Sequence, residues 1–324
     1  MGNDLIIDAH VHTYPTAAVG QQALQGMGQS GSSGTVGELL DVMAKGKISY
    51  AVLANMTPTY DMRLAALKNI PAGAPQAERE KGEKDINERV IDRMKRRNLW
   101  SCTSAGENPA LVPLISIDLL QGPVDLQAEI EDKVKNHGAK GLKLHPVSNR
   151  FYPSDRGLWP AYQRAMDLRL PILFHSGEAE VAGYTQADYA RPANFEPVMQ
   201  SFPKLVIILA HLGKGYLEES VALARKFDNV YFDTSAILSG GEIKNGFAPG
   251  GDAVKLIRTI GVNRVLFGSD WPWFDPLPAI RQIEGLDLPG EEKRMILGRN
   301  AAKVYGLPRP DDQEKKMRKE RQNA

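Results

Sequence analysis

The sequence contains almost nothing that would suggest disulfides, thiolate clusters or membrane spans. Its 324 residues include one cysteine, Cys102. A single cysteine excludes an intramolecular disulfide framework and a thiolate cluster for zinc or iron–sulfur. No stretch reaches the roughly 20 apolar residues that a membrane span requires. No basic region precedes the first apolar run at Leu5. We therefore expect a cytoplasmic protein with no signal peptide and no membrane partner.

The sequence also lacks an excess of charge of either sign. Forty Lys and Arg residues stand against 39 Asp and Glu residues, which gives a formal net charge of +1. Nucleic acids and anionic membrane surfaces are bound by clustered cationic charge, so this balance argues against both partners. We expect a small-molecule substrate as the partner, and a homo-oligomer formed through helical faces or the C-terminal tail as a further possibility.

Eight short apolar runs alternate with longer amphipathic segments along the chain. The runs are Leu5–His10, Ser49–Ala54, Leu111–Ile117, Gly141–His145, Ile172–His175, Leu205–Ala210, Val230–Asp233 and Arg264–Gly268. They are mostly continuous in Val, Ile, Leu, Ala and Phe, which is typical of parallel strands covered on both faces. Eight units favour a closed (β/α)8 barrel over an open doubly wound sheet, and no G-x-G-x-x-G follows the first run. The sequence predicts one α/β barrel domain over residues 1–307.

Two segments differ in composition from the predicted barrel. Residues 16–34 are rich in Gly, Gln and Ser and have few large apolar side chains. They predict a mobile loop after the first strand, either a plain connection or a lid at the barrel mouth. Residues 308–324 are highly charged with both signs. They predict a solvated tail or, alternatively, a contact with a second subunit.

Five of the six histidines lie where a predicted strand ends. They are His10, His12, His145, His175 and His211. Barrel active sites are built from the C-terminal ends of the strands, so this placement indicates function. His10 and His12 are two residues apart and therefore face the same side of a strand, as do Lys143 and His145. Asp270 directly follows the eighth run.

The shared chemistry of these side chains is metal binding. Neutral imidazoles and a carboxylate form a ligand set for a borderline divalent ion; zinc is expected first, and manganese or iron accepts the same donors. Such an ion lowers the pKa of a bound water toward about 7. A carboxylate beside it can take the proton, and a free histidine can serve as an acid or polarise a carbonyl. The pattern predicts metal-assisted attack on an acyl carbon.

The ordered series of motifs resembles the amidohydrolase superfamily. The motifs are Asp-Ala-His-Val-His at 8–12, Lys-Leu-His-Pro at 143–146, His-Ser-Gly at 175–177, Ala-His-Leu-Gly at 210–213 and Gly-Ser-Asp-Trp-Pro at 268–272. The chain looks most like the amidohydrolase-related branch that includes aminocarboxymuconate-semialdehyde decarboxylase and several lactone and amide hydrolases. The resemblance extends from residue 8 to residue 307. It implies a distorted (β/α)8 TIM barrel of the metallo-dependent hydrolase type.

The resemblance also implies roles for individual side chains around one divalent ion. His10 and His12 would be the ligands from the first strand, His175 the ligand from the fifth and Asp270 the ligand from the eighth. Asp270 would also accept a proton from the water. His211 matches the histidine that, in one-metal relatives, activates water or polarises the substrate.

Four further residues are candidates for substrate binding: Lys143, His145, Glu178 and Trp273. His145 could contact either substrate or metal, and Trp273 could line a pocket beside Asp270. In two-metal relatives a lysine on the fourth strand is carbamylated and bridges the metals. Lys143 could take that role, with His211 binding the second ion, so the one-metal and two-metal alternatives both stay open.

Three functions are compatible with these residues. The first is a metal-dependent hydrolase that acts on a C–O or C–N bond of a small carboxylated or cyclic substrate, such as a lactone or an amide. The second is a metal-dependent non-oxidative decarboxylase of an unsaturated or aromatic acid. The third is a metal-binding barrel without catalysis, which the complete ligand set argues against. Hydrolysis is the commoner chemistry in the superfamily and is therefore the expected one.

Overall fold

Eight parallel strands form the centre of the molecule. The computed structural model describes residues 5–178, 187–239 and 251–308. Strands β1 to β8 pair in chain order. Their bounds are Ile7–Val11, Tyr50–Leu53, Leu111–Ile115, Gly141–Leu144, Ile172–Phe174, Ile207–Leu209, Val230–Asp233 and Val265–Leu266. The amide of Ala9 donates to the carbonyl oxygen of Phe267 at 2.8 Å, which links β1 to the end of β8. The predicted (β/α)8 TIM barrel is confirmed.

Helices follow the strands and cover the outside of the barrel. Helices α1 to α13 span Ala17–Leu24, Val36–Gly46, Thr59–Leu67, Gln76–Glu107, Gly122–His137, Pro146–Asn149, Trp159–Asp167, Glu196–Ser201, Leu217–Lys226, Gly251–Ile260, Pro276–Glu284, Gly290–Arg294 and Asn300–Tyr305. A π-helical turn, Met295–Arg299, joins the last two. The strands are buried on both faces, by one apolar cluster inside the barrel and another beneath the helices, which explains their continuous apolar sequences.

Successive strand residues pack on opposite sides of the barrel wall. In β5, Leu173 belongs to the cluster inside the barrel, whereas Ile172 and Phe174 belong to the cluster beneath the helices. The alternation places His175, two residues after Leu173, on the inner side. The same alternation, with Leu142 and Leu144 in the outer cluster, places Lys143 inside. The strands thus deliver polar side chains to the C-terminal mouth.

The prediction that residues 16–34 form a loop is wrong, because this segment contains helix α1. Thr16 caps the helix by accepting a hydrogen bond from the amide of Val19 at 3.3 Å. Gly20 permits the helix to approach the opposing chain closely, since a Cβ there would overlap the carbonyl oxygen of Ser33. The amide of Gln29 donates to Trp273 O at 2.7 Å, which ties the segment to the chain after β8. Small side chains here provide close packing.

The sequence also predicted a charged tail, a single domain and no membrane span. The predicted tail at 308–324 lies outside the described residues from position 309 onward, and the single domain over 1–307 stays a prediction. Within the described ranges, no helix combines the length and the hydropathy needed to cross a membrane.

Gly298 closes the bottom of the barrel, and we expect its replacement by alanine to destabilise the protein strongly. A Cβ at this position would overlap the backbone carbonyl oxygen of Leu5, which cannot move like the end of a side chain. Forced overpacking of this kind lowers the free energy of unfolding by about 1–3 kcal/mol or more. Gly37→Ala is the matched control, because Gly37 lies in α2 with nothing within 4 Å of the added Cβ. Urea unfolding should separate the two variants; equal midpoints would contradict the packing at Leu5.

Candidate active site

His10, His12 and Asp270 form a compact cluster at the mouth of the barrel. His10 Nε2 lies 3.2 Å from His12 Nε2. Asp270 Oδ1 lies 3.2 Å from His12 Nε2 and 3.7 Å from His10 Nε2. Both imidazoles are buried, and the Asp270 side chain is 15% exposed. Three ligand atoms therefore converge on one small volume, as the predicted metal site requires.

His175, His211 and His145 extend the cluster along neighbouring strands. His175 Nδ1 lies 3.1 Å from His211 Nε2. The His145 ring stacks on the His175 ring with 4.0 Å between centroids and 5° between planes. His145 Nδ1 accepts a hydrogen bond from the amide of Ser148 at 3.2 Å, so this histidine also caps α6. The structure brings all five predicted histidines together, but His175 does not share the convergent group of His10, His12 and Asp270.

Lys143 lies among the histidines with its ammonium group against His10. Lys143 is 1% exposed, and its Nζ lies 3.0 Å from His10 Nε2. In the part of the chain that the structure describes, no carboxylate lies within 4 Å of Nζ. A lysine buried without such a partner lowers the stability of the folded protein, so packing alone does not explain its presence here. The ammonium group is available to an anionic ligand.

The backbone is left-handed at two residues of the site. His211 has φ 60°, and Asp270 has φ 64°. Neither is glycine, and such conformations in non-glycine residues are concentrated at functional sites, where the surroundings enforce them. Two hydrogen bonds do this here: His211 N donates to Asp233 Oδ1, and Asp270 N donates to His10 O, both at 2.9 Å. The turns point both side chains into the mouth.

Burial keeps four of the site histidines neutral at physiological pH. It lowers the pKa of His12 and of His211 to about 4, and it lowers the pKa of His145 and of His175 well below the ordinary value. Burial also lowers the pKa of Lys143 to about 8, which leaves the side chain mostly protonated at pH 7. Neutral imidazoles keep a nitrogen lone pair for metal coordination.

Asp270 stays ionised despite its burial. Burial alone would raise the pKa of its carboxyl group, but the hydrogen bond from His12 and the nearby His10 and His211 lower that pKa below its ordinary value. An ionised carboxylate is both a ligand for a hard or borderline cation and a proton acceptor.

Trp273 and Glu178 lie at the rim. The Trp273 ring meets the His12 ring edge-on with 5.1 Å between centroids, and its amide donates to Asp270 O at 2.9 Å. Glu178 N donates to Lys214 O at 2.8 Å. The carboxyl group of Glu178 lies over Gly215, where any Cβ would collide with it. Trp273 thus borders the metal-ligand cluster directly, and Glu178 belongs to the wall formed by the loops after β5 and β6.

Two buried residues after β7 were not predicted as part of the site. Asp233 Oδ2 lies 2.8 Å from His10 Nδ1, and Ser235 Oγ lies 2.8 Å from His211 Nδ1. Both residues are 0% exposed. Asp233 is the last residue of its strand, and the predicted histidines also lie at strand ends. A search of the strand ends for carboxylates as well as histidines would have found it.

The donor set fits a divalent metal ion. Among the described residues, His10, His12 and Asp270 bring one ligand atom each within 4.8 Å of one another. His175 Nε2 is buried and has no hydrogen-bond partner in the structure, which is unusual for a polar atom and expected for a metal ligand without its ion. Imidazole and carboxylate donors suit zinc, manganese and iron alike.

Comparison with known proteins agrees with this site. The family model described as Amidohydrolase matches residues 7–307. The chain belongs to the amidohydrolase family. The family and the His/Asp cluster together support a divalent metal in this amidohydrolase. No curated protein matches the chain in sequence.

Solved structures share the fold of this amidohydrolase over almost its whole length. The 5-carboxyvanillate decarboxylase of Sphingomonas paucimobilis is 16% identical, with a TM-score of 0.65 and coverage of 94% of this chain and 100% of that one. A dihydroxybenzoic acid decarboxylase from Polaromonas sp. JS666, with bound manganese and 2-nitroresorcinol, has 17% identity, a TM-score of 0.68 and coverage of 95% and 99%. The 4-oxalomesaconate hydratase of Rhodopseudomonas palustris has 19% identity, a TM-score of 0.60 and coverage of 93% and 96%. At these identities the likeness shows the fold alone.

Proposed function

We propose that this amidohydrolase is a metal-dependent, non-oxidative decarboxylase of an unsaturated or aromatic acid. The observation that carries the proposal is the buried ammonium group of Lys143, 3.0 Å from a histidine of the metal-ligand cluster. A positive charge at this position favours an acid as the substrate, because it can pair with a carboxylate. The decarboxylase activity named for two of the structural neighbours supports the same choice. The hydrolase expected first from the sequence has less support.

We propose that His10, His12, His175 and Asp270 hold one divalent ion, with zinc or manganese as the candidates. When bound, that ion would supply positive charge that polarises the oxygens of the acid. Lys143 Nζ, protonated below about pH 8, pairs with the carboxylate of the acid. The ring of Trp273 at the rim offers an apolar face for a flat, conjugated substrate.

The charges of the site residues can be set beside the bonds that decarboxylation breaks and forms. His12, His145, His175 and His211 stay neutral, so these four side chains add no positive charge beside the metal. In decarboxylation the bond between the substrate carbon and its carboxyl carbon breaks, and the electron pair left on carbon takes a proton. The carboxylate leaves as carbon dioxide. One proton is therefore consumed for each carboxylate that is converted.

A substrate panel tests this function. The protein is loaded with Zn²⁺ or Mn²⁺ and offered hydroxybenzoates and conjugated unsaturated acids, while released carbon dioxide is measured. Lactones and amides are offered in parallel; proton release in weak buffer reports lactone hydrolysis, and release of the amine reports amide hydrolysis. We expect carbon dioxide from at least one acid, and one deuterium on the product carbon in D₂O. Hydrolysis of a lactone or an amide, with no carbon dioxide from any acid, would restore the hydrolase.

Lys143→Met is expected to weaken substrate binding. The change removes the charge and nearly preserves the volume of the side chain. Hydrogen bonds to charged groups contribute about 1.5–3 kcal/mol, so KM for the acid should rise roughly 10- to 100-fold. Lys140→Met is the control, because Lys140 is exposed and lies just before β4, at the other end of the strand. An unchanged KM in Lys143→Met would remove Lys143 from substrate binding.

The type of partner, the cellular location and the oligomeric state are proposed as well. We propose that it acts on small molecules in the cytoplasm, and that it forms a homo-oligomer through helical faces. Sedimentation of the purified protein would test the second proposal, and a monomer at micromolar concentration would contradict it.

A further inference from the structure

The carboxylate of Asp233 is surrounded by hydrogen-bond donors. Its Oδ1 accepts from the amide of His211 at 2.9 Å, from the amide of Ser235 at 3.1 Å and from Ser235 Oγ at 2.5 Å. Its Oδ2 lies 2.8 Å from His10 Nδ1. Two of these donors are backbone amides, whose protons cannot move. Asp233 Oδ1 is therefore an acceptor in any state of the site, and the orientation of the whole side chain is fixed.

This arrangement determines which nitrogen of His10 carries the proton. Because Asp233 accepts only, His10 Nδ1 must donate, and the proton of the neutral ring is on Nδ1. His10 Nε2 then keeps its lone pair, and it is Nε2 that lies 3.2 Å from His12 Nε2 and 3.7 Å from Asp270 Oδ1. The lone pair of His10 thus lies on the nitrogen inside the cluster, which also accepts from Lys143 Nζ at 3.0 Å.

Ser235 transmits the same constraint to two more histidines. Its hydroxyl proton is donated to Asp233, so Oγ accepts from His211 Nδ1 at 2.8 Å. The carbonyl oxygen of Ser235 accepts from the same nitrogen at 3.2 Å. Ser235 Oγ also lies 3.1 Å from His10 Nδ1 and shares that proton with Asp233. Protonation of His211 on Nδ1 leaves its Nε2 as an acceptor.

The last histidine in the chain is His175. Since His211 Nε2 accepts, His175 Nδ1 must donate to it across 3.1 Å. His175 Nε2 is then unprotonated, and this atom is the buried nitrogen without a hydrogen-bond partner in the structure. Four contacts starting from one carboxylate thus leave a lone pair on His10 Nε2 and another on His175 Nε2.

We infer that Asp233 is a positioning residue that, together with Ser235, sets the proton positions of His10, His211 and His175 so that two Nε2 lone pairs are ready for a divalent metal. The inference rests on the proposed metal site. It adds the seventh strand, which lies outside the proposed ligand set, to the residues on which metal binding depends. Partners that fix a histidine in this way typically change metal affinity 10- to 100-fold when mutated.

Asp233→Asn is the decisive variant because it reverses the hydrogen bond with His10 Nδ1 and keeps the shape of the side chain. The two backbone amides require an oxygen at the position of Oδ1, so the new NH₂ group must face His10 Nδ1. A donor there forces the His10 proton onto Nε2, where it blocks the metal. In metal-free protein, ¹H–¹⁵N correlation spectra of the imidazoles should show His10 protonated on Nδ1 in the wild type and on Nε2 in Asp233→Asn. Affinity for Zn²⁺, measured by competition with a chromophoric chelator, should fall 10- to 100-fold.

Controls keep this result separate from the proposed activity and from misfolding. Asp228→Asn, at an exposed position before β7, should change neither the spectra nor the Zn²⁺ affinity. Ser235→Ala keeps the backbone carbonyl oxygen that accepts from His211 Nδ1 at 3.2 Å, so His10 and His211 should both stay protonated on Nδ1. The inference is overturned if His10 stays protonated on Nδ1 in Asp233→Asn, or if Asp233→Asn binds Zn²⁺ as the wild type does. A wild type that shows the expected spectra but binds neither Zn²⁺ nor Mn²⁺ would instead contradict the proposed function.

Discussion

Asp270→Asn is expected to reduce kcat/KM by about 10³-fold and to weaken metal binding. Asp270 is the one carboxylate of the convergent ligand group, with Oδ1 3.2 Å from His12 Nε2 and 3.7 Å from His10 Nε2. A bound divalent ion contributes several kcal/mol of charge stabilisation, and about 4 kcal/mol corresponds to 10³-fold in rate. The amide of asparagine carries no charge, so it loses the attraction for the cation. Steady-state kinetics and metal content measure the two effects.

The variant keeps the shape of the side chain, so we expect it to fold. Its amide N–H to His10 O, at 2.9 Å, belongs to the backbone and is preserved. Asp287→Asn is the control, because Asp287 is exposed in the chain that follows α11. Asp270→Asn with more than a tenth of wild-type kcat/KM and full metal content would show that Asp270 is not a metal ligand.

Acidification of the metal-free protein from pH 7 to pH 5 is expected to remove several kcal/mol of stability. The pKa of His12 and of His211 is lowered by burial to about 4 in the folded protein, against about 6.5 in the unfolded chain. Between these values the unfolded chain binds a proton that the folded protein does not. Stability therefore falls as the pH drops below about 6.5, by roughly 2 kcal/mol for each such histidine at pH 5.

Other groups of the site act in both directions over the same range. Burial lowers the pKa of His145 and of His175 as well, so both add to the loss. Burial raises the pKa of Asp8 to about 7, so this carboxyl group takes up a proton on acidification and offsets about one histidine. The net change remains a loss of stability.

Urea unfolding of metal-free protein at pH 7 and at pH 5 measures this effect. His211→Gln is the informative variant, because it removes one titrating group and keeps a polar side chain of similar length. Its stability should fall by about 2 kcal/mol less than that of the wild type between the two pH values. Equal stability of the wild type at pH 7 and pH 5 would mean that the histidines are not buried in neutral form.

Much of this molecule is predictable from local sequence patterns. All eight strands were predicted, because a strand covered on both faces is a short apolar run, and such a run is visible without any knowledge of its neighbours. The five site histidines were predicted to lie together for a related reason. The carboxyl ends of barrel strands meet at one face, so residues at those ends become neighbours whatever their distance along the chain.

The unpredicted features depend on contacts between distant residues. Asp233 is recognisable only through His10, which lies 223 positions away. Helix α1 was missed because its segment has few large apolar side chains; it depends on the close approach of Gly20 to Ser33. His175 was predicted as a ligand from its strand, yet in the structure its Nδ1 bonds to His211, a contact that sequence spacing does not reveal.

The metal content of the purified protein tests the account most directly. Protein never exposed to chelator is analysed for zinc, manganese and iron, beside Asp270→Asn prepared in the same way. We predict about one equivalent of divalent metal per chain in the wild type and a large loss in the variant. The absence of metal from the wild type, or two equivalents per chain, would contradict a single ion held by His10, His12, His175 and Asp270.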